Sequence, residues 1–163
     1  MTLRAVKASA PGSLMLMGEH AVLRGQPAIV CAINKRMTIA LTPRADRTVR
    51  LHSALGEHET TLDGLAPNES FRFVLGAIRA CRADFQQGFE LDIRSGMSHQ
   101  MGLGSSAAVT VATLAALAGA QDKEPAPGYL LEAGTRIARQ LPGAAGARAD
   151  VAARAELSAL HHG

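Results

Sequence analysis

Tryptophan is missing from this 163-residue chain, and Phe, Tyr and Trp together make up only 3% of it. Modules that grip nucleic acid by base stacking need aromatic platforms, so this composition argues against that class of partner. Charge is also sparse: 19% of residues are charged, and the formal net charge of +3 comes from scattered Arg rather than a basic stripe. That pattern reads as a solvated surface. Cysteine is limited to Cys31 and Cys81, each alone in an apolar setting, which reads as two reduced core residues rather than a disulfide or a metal site. The opening "MTLRAVKASAPG" lacks the apolar run of a signal peptide, and no 18-residue apolar span is free of polar interruption. A cytoplasmic setting is therefore expected. Low charge does not mean disorder here, because 47% of residues are apolar. A chain of this length is one domain, or one lobe of something larger, and can bury roughly 70% of its unfolded surface.

What is present falls into two halves. Leu3 to Ala10 alternates loosely and meets Pro11-Gly12, which predicts a strand ended by a turn; Leu14–Met17 then reads as a second, buried strand. Ala28–Ile33 and Lys35–Pro43 read as two more strands, and Val49–Ser53 with Glu57–Leu62 as a hairpin about Gly56. Beyond Pro67 the period changes from two to 3.6. Asn68 and Ser70 can cap a helix whose apolar residues are Phe71, Val74, Leu75, Ile78 and Cys81. A strand over 88–94, a helix from the glycine loop to about Ala120, and a helix from Tyr129 to Gln140 follow, and the Ala-rich tail reads as a fourth helix. The fold class is α+β, strands first and helices later.

The stretch "MGLGSSAA", Met101 to Ala108, opens the Ala-rich helix. The first N–H groups of a helix have no internal partner and carry the positive end of its dipole, so a glycine turn at this point is suited to an anion. Two other readings compete. Ser105 or Ser106 could simply cap a core helix. Gly102-x-Gly104-x-x-Ala107 with Asp122 could be a dinucleotide fingerprint, but the preceding strand ends near Arg94 and Asp122 follows a helix rather than a strand. A Walker A loop is excluded because no Gly-Lys-Ser/Thr occurs. The remaining histidines, His52, His58, His99, His161 and His162, show no ligand spacing and read as surface or loop residues.

Residues 10–34, "APGSLMLMGEHAVLRGQPAIVCAIN", resemble the first signature of the superfamily of galactokinase, homoserine kinase, mevalonate kinase and phosphomevalonate kinase (GHMP kinases), and "MGLGSSAA" resembles its second. "GEHAVLRG" followed by "PAIVCAIN" is most similar to mevalonate kinases. The resemblance covers residues 5–120 well and implies a two-layer lobe of the ribosomal protein S5 domain 2-like type. It also implies an N-terminal ATP-binding domain over residues 1–141, ATP and Mg²⁺ as cofactors, and transfer of a phosphoryl group to a small-molecule hydroxyl, mevalonate foremost. Backbone N–H groups of Gly102, Leu103, Gly104, Ser105, Ser106 and Ala107 would wrap the ATP phosphates, with the Ser106 hydroxyl on Mg²⁺. Glu19 and His20 would face the acceptor, and Asp150 would serve as base or charge partner for its hydroxyl.

The chain departs from the pattern in three respects. Ser13 stands where mevalonate kinases carry Lys, removing charge stabilisation that often contributes several kcal/mol. Ala147 and Arg148 replace the Ser-Gly before Asp150, and Arg154 replaces a Ser, while Glu132 is too far from Asp150 to act as the upstream Mg²⁺ carboxylate. Residues 142–163 form an off-pattern Ala/Arg-rich tail of the kind a truncated or frame-disrupted chain would have, and the family's C-terminal lobe is expected to be absent. Such a lobe keeps one wall of the cleft and exposes apolar surface, which a homodimer would cover. The alternative function is a nucleotide- or phosphate-binding lobe without catalysis.

Overall fold

The computed structural model describes residues 3–18, 20–21, 24–97 and 104–141, and the backbone of 159–162. Six strands, β1 (Val6–Met17), β2 (Ile29–Pro43), β3 (Thr48–Ser53), β4 (Gly56–Thr61), β5 (Phe89–Ser95) and β6 (Ala159–His162), form one sheet in the order β4-β3-β5-β2-β1-β6. Only β3 and β5 pair in parallel. The other pairs, β1–β2, β1–β6, β2–β5 and β3–β4, are antiparallel. Period-two alternation puts Ala8, Ile39 and Ile93 in one register row and Val6, Leu41, Leu91 and Leu51 in the next. All seven are buried. The alternate positions, such as Lys7, Arg50, Glu57 and Arg94, face solvent.

The helices cover the apolar side. α1 (Arg72–Cys81) buries Val74, Leu75, Ala77, Ile78 and Cys81. Its entry is fixed by Asn68, whose Oδ1 accepts the N–H groups of Ser70 (3.0 Å) and Phe71 (3.3 Å). α2 (Ser105–Ala120) buries twelve of its sixteen residues, so it lies in the middle of the structure against β1, β2, α1 and α3. Its buried hydroxyls are satisfied internally: Thr110 Oγ1 donates to the Ser106 carbonyl and Thr113 Oγ1 to the Val109 carbonyl, each at 2.7 Å. α3 (Pro127–Gln140) begins on a proline, whose missing N–H costs nothing in a first turn, and turns Leu130, Ala133 and Ile137 inward. α1 and α3 approach closely at Gly76, where a Cβ would lie 2.9 Å from Ile137 Cγ2.

The structure corrects four sequence expectations. Pro11-Gly12 does not end a strand, because β1 runs through it unbroken, and β2 likewise joins the two segments expected around Asn34. The register explains both. Pro11 pairs with Arg36 and Gly12 with Ile33, so the exposed Asn34 and Lys35 form a two-residue bulge opposite the proline. The tail does not end in helix, since residues 159–162 pair with Val6–Ser9 of β1. An open edge of unpaired backbone groups outcompetes the helix propensity of alanine there. Cys31 is exposed rather than in the core, because it lies on the part of the β1–β2 ribbon that extends past the helices, whereas Cys81 is buried as expected. No helix among the described residues is long and apolar enough to cross a membrane.

Candidate functional site

The site begins where α2 begins. Gly104 is its N-cap and adopts φ 63° and ψ 38°, the left-handed region that favours glycine, and no side chain caps the helix there. The capping role considered for Ser105 and Ser106 is therefore not taken up. Both are half-buried helical residues at the lip of a cavity of about 320 Å³, so the first turn of α2 opens into space rather than onto a capping oxygen.

The cavity's other walls come from elements distant in sequence. Ser53, Ala54 and Leu55 belong to the β3–β4 turn, Ile93 and Ser95 to the end of β5, and Glu69 to Val74 to the entry of α1. Leu55 and Phe73 give apolar wall, and the seryl residues give polar edge. Arg72 stands between these characters. Its guanidinium pairs with Glu69 and sits 4.8 Å from the Phe73 ring centroid, while its Nε is buried without a hydrogen-bond partner among the described residues. A buried donor left without an acceptor costs free energy, so this side chain is held at some expense to stability.

The first motif reaches this neighbourhood through β1. Gly12 packs against Met97, which follows β5: a Cβ at Gly12 would fall 2.5 Å from Met97 Sδ. A side chain at Gly12 would have to displace the flexible Met97 side chain, so the midpoint of β1 lies close to the residue that follows β5. At the far end of β1, Gly18 takes φ +91°, and a Cβ there would meet Ala28 Cα and the Pro27 carbonyl oxygen at 2.7 Å. The chain reverses tightly beyond it, with the Ala21 carbonyl accepting the N–H groups of Arg24 (2.9 Å) and Gln26 (3.0 Å). His20 is exposed on this reversal and is not among the residues lining the cavity. Glu19, Gly102, Leu103 and Asp150 lie outside the described residues.

Sequence reasoning found the α2 wall and missed the opposite one. Glu69, Arg72 and Phe73 read only as the start of an amphipathic helix. Leu55 was the one available signal, an apolar residue at the tip of a polar hairpin; it is 55% exposed. A Mg²⁺–nucleotide fits the residues present, since a helix N-terminus without a side-chain cap, the seryl residues Ser105 and Ser106 and the cationic Arg72 line one cavity. Among the described residues no group of three or more His, Cys, Asp or Glu could hold a metal ion by itself. Mg²⁺ ordinarily takes most of its oxygens from phosphate and water, so a single seryl ligand is in keeping with it.

Comparison with known proteins gives the same direction. The profile of the GHMP kinases N terminal domain matches residues 72–156, and that of the galactokinase galactose-binding signature matches residues 4–43. The chain is 42% identical over 110 residues to the mevalonate kinase of Archaeoglobus fulgidus, a match covering 68% of this chain and 36% of that protein. It is 34% identical over 140 residues to that of Methanothermobacter thermautotrophicus, covering 85% and 44%. The crystal structure of the Methanococcus jannaschii mevalonate kinase superposes with a TM-score of 0.82 at 25% identity, over 96% of this chain and 53% of that one. Lactococcus lactis galactokinase complexed with galactose shares the fold, with a TM-score of 0.80 at 24% identity over 91% and 41%. The chain thus spans between about a third and half of the length of these curated relatives.

Proposed function

This chain belongs to the GHMP kinase family through its N-terminal domain, and from that premise we propose that it is the nucleotide-holding part of a kinase that phosphorylates a hydroxyl of mevalonate with ATP. The observation that carries the reading is the first turn of α2, which has no side-chain cap and stands with Ser105 and Ser106 on the cavity that Arg72 also lines. Backbone N–H groups of Gly102 to Ala107 would bind the phosphates and stabilise their charge. The Ser106 hydroxyl would supply the protein's oxygen to Mg²⁺. The cation, when bound, neutralises charge on the transferring phosphoryl group. The apolar walls at Leu55 and Phe73 exclude water from the rest of the nucleotide. Glu19 and His20 orient the acceptor, supported by the match of residues 4–43 to a substrate-binding signature, and Asp150 takes the proton of its hydroxyl. Mevalonate is the acceptor favoured by the names of the relatives.

A second reading has its own observation. Phosphoryl transfer in this family's members is carried by chains of about twice the matched length or more, and among the described residues four of the six exposed large apolar side chains, Leu14, Leu16, Met17 and Ile29, share the outer end of the β1–β2 ribbon. This supports a lobe that binds nucleotide by itself and turns over only when further polypeptide, a second copy of this chain included, covers that end. Calorimetry with Mg·ADP, alongside ADP release assayed with mevalonate, homoserine, galactose and phosphomevalonate, separates the two. Both readings expect Mg·ADP to bind, and Ser106→Ala to weaken it about tenfold, the scale of one lost charged contact. Turnover with mevalonate supports the kinase; binding without turnover on any acceptor supports the lobe. Absence of binding at millimolar Mg·ADP contradicts both.

A further inference from the structure

Outside the cavity, one side chain has both of its ring nitrogens committed. His58 stands on β4, in register with Leu51 of β3, and its ring is stacked on Phe71 with centroids 6.1 Å apart and planes 21° from parallel. Its Nε2 lies 3.1 Å from the Ala66 carbonyl oxygen, and its Nδ1 lies 3.3 Å from Asn68 Nδ2. The partners fix the direction of each bond. Asn68 Oδ1 already accepts the N–H groups of Ser70 and Phe71, so the amide nitrogen is the end turned to His58, and Nδ1 is the acceptor there. Nε2 then carries the hydrogen, and the Ala66 carbonyl accepts it. The bonds form one relay from the Ala66 carbonyl through the ring and the Asn68 amide to the N–H groups that lead into α1.

Little else holds this stretch to the sheet. Beyond β4, the Leu62 N–H donates to the Arg47 carbonyl and the Leu65 N–H to the Thr61 carbonyl, at 3.0 and 2.9 Å. Among the described residues, no backbone hydrogen bond joins residues 66–71 to a strand. Thr60 Oγ1 accepts the Ala66 N–H at 2.8 Å, and that tie ends at Ala66. Burial of Phe71 keeps α1 on the core with or without His58. What the ring fixes is the largely exposed chain between them, residues 67–70. Glu69 and Ser70 of that chain line the cavity, next to Arg72 and Phe73.

We infer that His58, acting through Asn68, is a positioning residue: it sets the α1-entry wall of the cavity against β4 and so governs how tightly the nucleoside end of a nucleotide is held. The inference rests on the nucleotide reading, in which the α2 N-terminus takes the phosphates and the apolar walls take the remainder. A residue that acts on the α1 wall affects a nucleotide and spares bare pyrophosphate, whereas general damage to the fold weakens both. The test is calorimetry of the full chain with Mg·ADP and with Mg·pyrophosphate, for the native protein, His58→Phe, His58→Gln and Asn68→Ser. His58→Phe keeps a ring on Phe71 but removes both hydrogen bonds. Asn68→Ser keeps an accepting oxygen for the α1 entry and removes the donor to His58. Each should bind Mg·ADP about fivefold more weakly, the scale of one neutral hydrogen bond, with Mg·pyrophosphate unchanged. His58→Gln, whose amide supplies one donor and one acceptor, should stay near native affinity. Native affinity for Mg·ADP in either disrupting variant, or equal weakening of both ligands, overturns the inference. If the native chain binds neither ligand, the nucleotide reading fails, and amide hydrogen exchange without ligand decides on the relay. Protection of Ser70 and Phe71 that is lower in His58→Phe than in the native chain and His58→Gln upholds it, and equal protection refutes it.

Discussion

At the scale of single residues, environment separates groups that the sequence presents alike. Cys31 and Cys81 are both isolated cysteines in apolar stretches, yet one is exposed on the β1–β2 ribbon and the other is buried in α1. Burial pushes the Cys81 thiol up from its ordinary range, and this outweighs the opposing contact with the Tyr129 hydroxyl at 3.4 Å. Because the thiolate is the reactive form, Cys81 is doubly protected, by access and by protonation. Labelling of the native chain with a maleimide at pH 7.5 should therefore modify one thiol quickly, at Cys31. Cys81 should react only after unfolding or at markedly higher pH. Equal rates under native conditions would contradict the placement of α1. The same contrast runs through the site. Gly104, Ser105 and Ser106 were legible as the start of a helix because glycine and hydroxyl residues before an apolar run carry their meaning locally. The place of Arg72 was not, because it lines a cavity that only tertiary packing creates.

At the scale of elements, legibility followed the source of each element's stability. α1 and β5 show clear apolar periods over 72–81 and 89–95, and their burial follows that pattern. α2 was recognised as a helix, but not as the central one, because a helix apolar on every side gives no direction from periodicity. Its small residues allow sheet and helices to approach it from several sides, and Leu114 and Leu117 fill what remains. Leu114→Ala should cost about 2–5 kcal/mol, measured by denaturant unfolding, as expected for a fully buried leucine in surroundings that relax little. A loss below about 1 kcal/mol would mean that α2 is not held in the middle of the layer. The bulge at Asn34-Lys35 and strand β6 were illegible for a different reason. Both are defined by a partner strand, and the backbone pairing that creates them leaves no periodic trace in the local sequence.

At the scale of the whole molecule, the chain is a two-layer α+β domain of the GHMP kinase family. Its two signature motifs lie far apart in sequence, one running through β1 and the other opening α2, which packs on β1. The family's domain could be recognised from those motifs; the far wall of the cavity, from the β3–β4 turn to the α1 entry, could not, since it joins segments about 15 to 50 residues apart. The central claim is that this cavity holds the phosphates of a Mg²⁺–nucleotide at the α2 N-terminus. The most direct measurement is an amide NMR titration of the full chain with Mg·ADP. The account predicts saturable shifts largest at Gly104 to Ala107, with a second group at Ser53 to Leu55 and Arg72. A titration that leaves the α2 N-terminal amides unmoved at millimolar Mg·ADP, or that moves only residues remote from the cavity, would contradict it.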